Sequence, residues 1–275
     1  MARRKKSSKH SPSDGNRRKQ RLSGKTGDDQ PSPDNRWLYG HHPVVAALNN
    51  PNRRPIRLVT TENGADALAH LKAPIVREME IVGREDIEAL LPPRAVHQGM
   101  ALLAEPLLRT DIVDLVDLAK ADKQLLVVAL DQVTDPQNIG AVMRSAAAFG
   151  AKAILVPDRN TPETTGALAK AASGATEIVP LVRVQNLVRA LEELKKVGFW
   201  IAGLTADAPN EISATDLPDI CVLVLGAEGK GMRRLTDETC DLKLRVPISD
   251  AMESLNVSST AAIVMYEWFR QKTLP

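Results

Sequence analysis

Cysteine is nearly absent from this chain. Cys221 and Cys240 are the only two in 275 residues and form no CxxC pair, so neither a disulfide framework nor a zinc site is expected, and a reducing, cytoplasmic setting is. Long apolar runs are also lacking. Blocks such as residues 125–130 fall far short of the roughly 20 residues of a membrane helix, so no membrane partner is expected. No apolar stretch follows the basic start of the chain, which excludes a secretory signal. No metal-ligand cluster is visible, and no metal is expected. Aromatic residues are scarce, the one departure from an ordinary globular composition.

What is present is charge, unevenly placed. The formal net charge is only +2, but residues 1–36 hold eleven Lys and Arg against four Asp, which makes this stretch +7 and leaves −5 for the remainder. Residues 1–35 are rich in Ser, Gly and Pro and almost without apolar side chains. They cannot bury enough surface to offset their ordering entropy, and we read them as a disordered basic tail. Such an arm suits nucleic-acid phosphates; a merely solubilising tail is the alternative.

The length is comfortable for two domains. Residues 36–106 read as a small α/β unit with helices near 43–48, 65–71 and 84–90 and strands near 56–60, 79–82 and 100–104. Residues 107–123 read as a linker with an acidic helix at 111–119 that leads into the next domain. In residues 124–275, apolar strands at 125–130, 153–156, 177–181, 199–204, 221–225 and 242–246 alternate with helices near 139–149, 163–172, 184–197, 232–239 and 260–269. That alternation predicts an α/β fold with a parallel sheet covered on both faces. Ligands of such sheets bind beyond the carboxyl ends of the strands.

Three polar segments fall at such ends. The first, residues 131–140, contains the turn signal Asp135-Pro136 and Asn138, placed as a helix N-cap, and runs into a helix carrying Arg144. By itself Arg144 reads as a solvated helix charge. The second, residues 226–232, sets Glu228 among glycines that permit close backbone approach; it is neither a Walker A loop nor a GxGxxG fingerprint, and a tight surface turn is the plain alternative. The third is Ser254-Leu255-Asn256-Val257-Ser258-Ser259, between the apolar strand at 242–248 and the last helix. A helix cap needs one of these residues, and four are candidates.

The three segments together, in this order, resemble the SpoU (TrmH-like) branch of the SPOUT superfamily, RNA ribose 2′-O-methyltransferases. Upstream, Tyr39-Gly40-His41-His42-Pro43-Val44 and His97-Gln98-Gly99-Met100 are similar to the start and end of the substrate-binding domain of the enzymes that methylate a guanosine in large-subunit ribosomal RNA. The resemblance implies a small RNA-binding α/β domain, then a domain with a deep C-terminal trefoil knot formed by the loops after Leu225 and Val246. It also implies S-adenosylmethionine as cofactor, RNA as partner, and a homodimer that places Arg144 of one subunit near the methyl donor of the other.

Carried over by residue, the resemblance matches Gly226, Val246 and Leu255 to cofactor positions, with Leu204 and Ile248 as neighbours, and Asn138, Arg144, Glu228, Asn256 and Ser258 to functional positions. A guanidinium is a poor base, so Arg144 is expected to hold an RNA phosphate and polarise the hydroxyl while Asn256 and Ser258 orient it. His97 is expected in RNA contact or domain packing; neither it nor His41 or His42 is expected in catalysis. Two local departures stand out: Ser249-Asp250 where relatives have a small Ala-Gly pair, and Ser259-Thr260 where an apolar pair is usual. The alternatives are a transfer-RNA ribose methyltransferase and a non-catalytic ribosomal-RNA assembly factor. The latter would be expected to have lost Arg144 or Asn256.

Overall fold

A computed structural model describes residues 36–71 and 79–273. The tail at residues 1–35 lies outside the described residues. The described chain opens with β1 (Trp37–Tyr39), α1 (His41–Asn49), β2 (Pro55–Thr60), α2 (Glu62–His70), β3 (Met79–Ile81), α3 (Arg84–Leu90) and β4 (Met100–Ala104). These strands form a mixed four-stranded sheet in the order β1-β4-β2-β3, with β2 and β3 parallel and the other pairs antiparallel.

Next comes α4 (Ile112–Ala121), where a linker helix is expected from the sequence. It buries Leu115 among Leu125, Leu187 and Leu191 and so belongs to the core of the larger sheet. Its N-cap, Asp111, accepts from Val113 N at 2.8 Å. The larger sheet and its covering helices are built from β5 (Leu125–Asp131), α5 (Pro136–Ala148), β6 (Ala153–Pro157), α6 (Gly166–Ala171), β7 (Leu181–Val184), α7 (Leu187–Lys195), β8 (Trp200–Leu204), β9 (Asn210–Glu211), β10 (Ile220–Gly226), α8 (Arg234–Thr239), β11 (Leu242–Arg245) and α9 (Val257–Thr273). Seven strands run in the order β7-β6-β5-β10-β8-β11-β9, and every pairing is parallel.

The continuous apolar character of the central strands follows from burial on both faces. Leu126, Val128 and Leu130 of β5 face a core shared with α5, α6 and α9, while Leu125, Val127 and Ala129 face one shared with α4 and α7. The two-residue period of a strand therefore leaves no polar position within residues 125–130. Gly140 brings α5 and α6 together, because a Cβ there would strike Ala171.

Three sequence expectations shift. The strand expected at 177–181 is a 3₁₀ turn, Ala175–Glu177, followed by β7. Gly174 enters that turn at φ 90°, and Pro180 has no N–H to give a ladder, so pairing begins at Leu181. The strand read as 242–248 stops at Arg245, two residues before Pro247. Asn138 is not the N-cap of α5: Asp135 is, accepting from Gln137 N at 3.1 Å, with Pro136 in the first helical turn.

The four-stranded sheet packs directly on the larger unit. Ala169 of α6 sits in the same cluster as Leu38, Val44 and Met100, and a Cβ on Gly166 would collide with Trp37 and Tyr39. Arg53 reaches across with two bonds to Glu177, Nε to Oε2 at 3.0 Å and NH2 to Oε1 at 2.5 Å, and Asn50 Nδ2 adds a third at 2.9 Å. The Arg53 and Glu177 side chains are 8% and 3% exposed.

Candidate active site

Strand register assembles the apolar side of the site. Leu204, the last residue of β8, pairs with Leu225 of β10 and with Leu244 of β11. Gly226 follows Leu225 and Val246 lies two residues beyond Leu244, so three of the residues matched to cofactor positions share one edge, the carboxyl ends of neighbouring strands. Ile248 and Leu255 lie in the stretch from β11 to α9. Across residues 247–255 the one backbone–backbone hydrogen bond among the described residues is Met252 N to Ser249 O, 3.2 Å. Backbone N–H and C=O groups beside that edge are therefore free for a ligand.

Gly226 is required by chain geometry. The loop leaving β10 doubles back, Gly231 N donating to Ala227 O at 2.8 Å, and a Cβ on Gly226 would collide with the backbone of Gly231 and Met232. Gly229 and Gly231 have φ of 73° and 64°, the left-handed region that favours glycine.

The polar side is built around Asn256. Its Oδ1 caps α9, accepting from Ser258 N at 2.9 Å and from Ser258 Oγ at 2.5 Å. Its Nδ2 donates to Glu228 Oε1 at 2.7 Å and to Asn138 Oδ1 at 3.1 Å. Glu228 Oε1 also accepts from Val257 N at 3.2 Å, placing a carboxylate where a helix dipole favours it. Because Asp135 caps α5, Asn138 spends its amide on this cluster. Four of the five residues expected to act together, Asn138, Glu228, Asn256 and Ser258, thus meet.

Arg144 does not join them within one chain. It lies six residues beyond Asn138 on α5, which at 3.6 residues per turn carries it roughly 120° around the helix and about 9 Å along it. It is exposed and makes no hydrogen bond or ion pair among the described residues.

Nucleophilic alternatives are weak. Burial pushes the thiols of Cys221 and Cys240 up to about 12, so neither is a thiolate near neutral pH. His97 is 1% exposed and accepts from Gly99 N through Nδ1 at 3.1 Å, a packing role. Among the described residues no group of three or more His, Cys, Asp or Glu gathers to hold a metal, and no helix is long and apolar enough to cross a membrane. A cleft of about 480 Å³ between residues 61–63 and 81–84 belongs to the four-stranded sheet and shares no residue with this cluster.

One buried carboxylate escaped sequence reading. Asp131, in the first polar segment, ends β5 fully buried and binds Arg233, the residue just after the second segment. An acidic residue closing an otherwise apolar strand was the available signal.

The family model described as the SpoU rRNA Methylase family matches residues 125–266. The chain is 37% identical over 244 residues to the 23S rRNA (guanosine-2'-O-)-methyltransferase RlmB of Vibrio vulnificus, covering 86% of this chain and 98% of that protein. It is also 37% identical to the RlmB of Pseudomonas aeruginosa, with coverages of 86% and 96%. The SpoU methyltransferase AviRb of Streptomyces viridochromogenes, solved with AdoMet, shares the fold at a TM-score of 0.71 and 21% identity, over 86% of this chain and 90% of that one. With half the chain matched by the family model and nearly the full length of its relatives spanned, this chain belongs to the SpoU rRNA methylase family.

Proposed function

We propose that the chain is an S-adenosylmethionine-dependent methyltransferase that modifies the ribose 2′-hydroxyl of a guanosine in large-subunit, 23S-type ribosomal RNA in the cytoplasm. The observation that carries this reading is the convergence of Asn256, Glu228, Asn138 and Ser258 beside the row Leu204, Gly226 and Val246. The relatives named for that reaction span the same length of chain.

The residues present suit S-adenosylmethionine. The apolar side chains of Leu204 and Val246 flanking Gly226, and the free backbone groups of residues 247–255, offer an apolar face and hydrogen-bonding groups together, as cofactor sites require. When bound there, it supplies a methyl group on a sulfonium. Leu204, Gly226, Val246, Ile248 and Leu255 would hold it. Asn256, its orientation fixed by four hydrogen bonds, and Ser258 would orient the ribose hydroxyl, because displacement needs alignment with the breaking bond. The unpaired guanidinium of Arg144 would anchor a phosphate bidentately and polarise the hydroxyl.

The remaining parts follow from the same reading. Residues 226–232 and 246–256 would form the trefoil knot, which the tight crossing at Gly226 supports. Arg144 would act on the site of a second subunit, since it lies exposed and roughly 120° around α5 from Asn138 of its own cluster. Phe149 and Tyr266, edge to face at 5.7 Å, and exposed Ile263 offer an apolar dimer face between α5 and α9. Residues 36–106 would bind substrate RNA, and the basic tail at residues 1–35 would add phosphate contacts.

The test is methyl transfer from labelled S-adenosylmethionine to unmodified 23S rRNA and, separately, to transfer RNA. Label in the 23S rRNA is expected. Label confined to transfer RNA would overturn the substrate assignment.

A further inference from the structure

Asp131 is the one Asp or Glu among the described residues with no exposed surface at all, at 0%. All the hydrogen bonds it receives come from a single residue. Its Oδ2 accepts from the backbone N–H of Arg233 at 2.8 Å, and Oδ1 accepts from Arg233 Nε at 2.8 Å and pairs with NH2 at 2.7 Å. Arg233, by contrast, is about half exposed at 49% of its side chain.

The position of this pair matters more than its strength. Asp131 lies beside Gly226 in the β5–β10 register, and Gly226 is where the glycine-rich loop departs. Arg233 is where that loop returns, just before α8. One buried carboxylate therefore holds the returning end of the loop next to its start, and the loop carries Glu228 to Asn256 and Val257. The side chain of Met232 packs against the core beneath but forms no polar tie. If the loop swung outward, Arg233 would enter water at little cost, whereas Asp131 would be left buried with every hydrogen bond lost.

We propose that Asp131 and Arg233 are positioning residues that pin residues 226–232 in their cofactor-binding shape, so that the pair sets affinity for S-adenosylmethionine rather than the rate at which bound cofactor reacts. This rests on the reading of that loop as part of the cofactor site. Neither residue touches the reacting atoms.

The test compares full-length Arg233→Ala and Arg233→Lys with the wild type and with Arg234→Ala, which removes only the exposed pair with Glu238. S-adenosylmethionine binding is measured by calorimetry, turnover at saturating cofactor and RNA, and amide exchange at Gly231 and Val257 in the free protein. Arg233→Ala is expected to weaken cofactor binding at least about 10-fold, equivalent to about 1.4 kcal/mol, to speed exchange at both amides, and to leave saturated turnover within about twofold. Arg233→Lys should recover part of the affinity because one charged bond to Asp131 survives, and Arg234→Ala should match the wild type. Unchanged affinity, or a loss confined to turnover, in Arg233→Ala and Arg233→Lys would overturn the proposal. If the wild type itself binds no S-adenosylmethionine, the cofactor reading of the loop fails instead. Amide exchange still decides the pin, because unchanged exchange in Arg233→Ala would overturn it.

Discussion

Asn138 and Asn256 stand 118 residues apart in the sequence and 3.1 Å apart in space, Nδ2 of Asn256 donating to Oδ1 of Asn138. The bond ties the first turn of α5 to the start of α9. Since the same amide also binds Glu228, three strand-end segments converge on one side chain.

Asn256→Asp separates the cap from the cluster. The carboxylate still caps α9 through an oxygen but has no donor for Asn138 or Glu228 and sets a second negative charge against Glu228. Turnover should fall by about 100-fold while the melting temperature changes little. Asn256→Ala should lose the turnover and, in addition, about 1 kcal/mol of stability from the missing cap. Methyl-transfer rates with thermal melts check both. Wild-type turnover in Asn256→Asp would remove this residue from the site.

For Arg144, substitution by Lys keeps the charge and loses the planar fork. Turnover should drop sharply with cofactor affinity nearly intact. Mixing inactive Arg144→Ala with inactive Asn256→Ala should restore activity if subunits exchange, because a mixed dimer then contains one site with both residues native. No recovery in demonstrably mixed dimers would place Arg144 at its own subunit's site.

The Arg53–Glu177 pair joins the two sheets and is almost fully buried. Glu177→Ala leaves a buried guanidinium uncompensated and should cost about 3 kcal/mol in denaturant unfolding. The double variant Arg53→Met with Glu177→Leu should be more stable than either single one, because no unpaired charge remains. Additive losses in the double variant would show that the pair contributes no coupling.

Alkylation reads the state of the thiols. With both pushed up to about 12 by burial, Cys221 and Cys240 should resist iodoacetamide at pH 8 in the folded protein and react after unfolding in guanidinium. Folding favours the protonated thiols. That contribution to stability is fully present below about pH 9, the ordinary thiol range, and is lost as pH rises from about 9 to 12. Rapid labelling of native protein at pH 8 would contradict the burial.

The central strands were legible in the sequence because burial on both faces leaves an unbroken apolar run, and the polar segments that follow them were legible as breaks in it. Which strand neighbours which was not, since the insertion of β10 between β5 and β8 is a matter of long-range pairing. Asn138 was misread as a cap because Asp135 and Asn138 are both good capping residues, and only the helix start at Pro136 decides between them. Glu177 was read into a strand from the apolar run around it, although its partner Arg53 lies 124 residues away. Short β1 and β9, of three and two residues, carry too little pattern to be seen.

The most direct measurement is nucleoside mass spectrometry of 23S rRNA from a strain lacking the protein, after incubation with the purified chain and deuterated-methyl S-adenosylmethionine. The account predicts label in 2′-O-methylguanosine, present with the wild-type chain and almost gone with Asn256→Asp. Label on a base, or an undiminished signal from the variant, would contradict it.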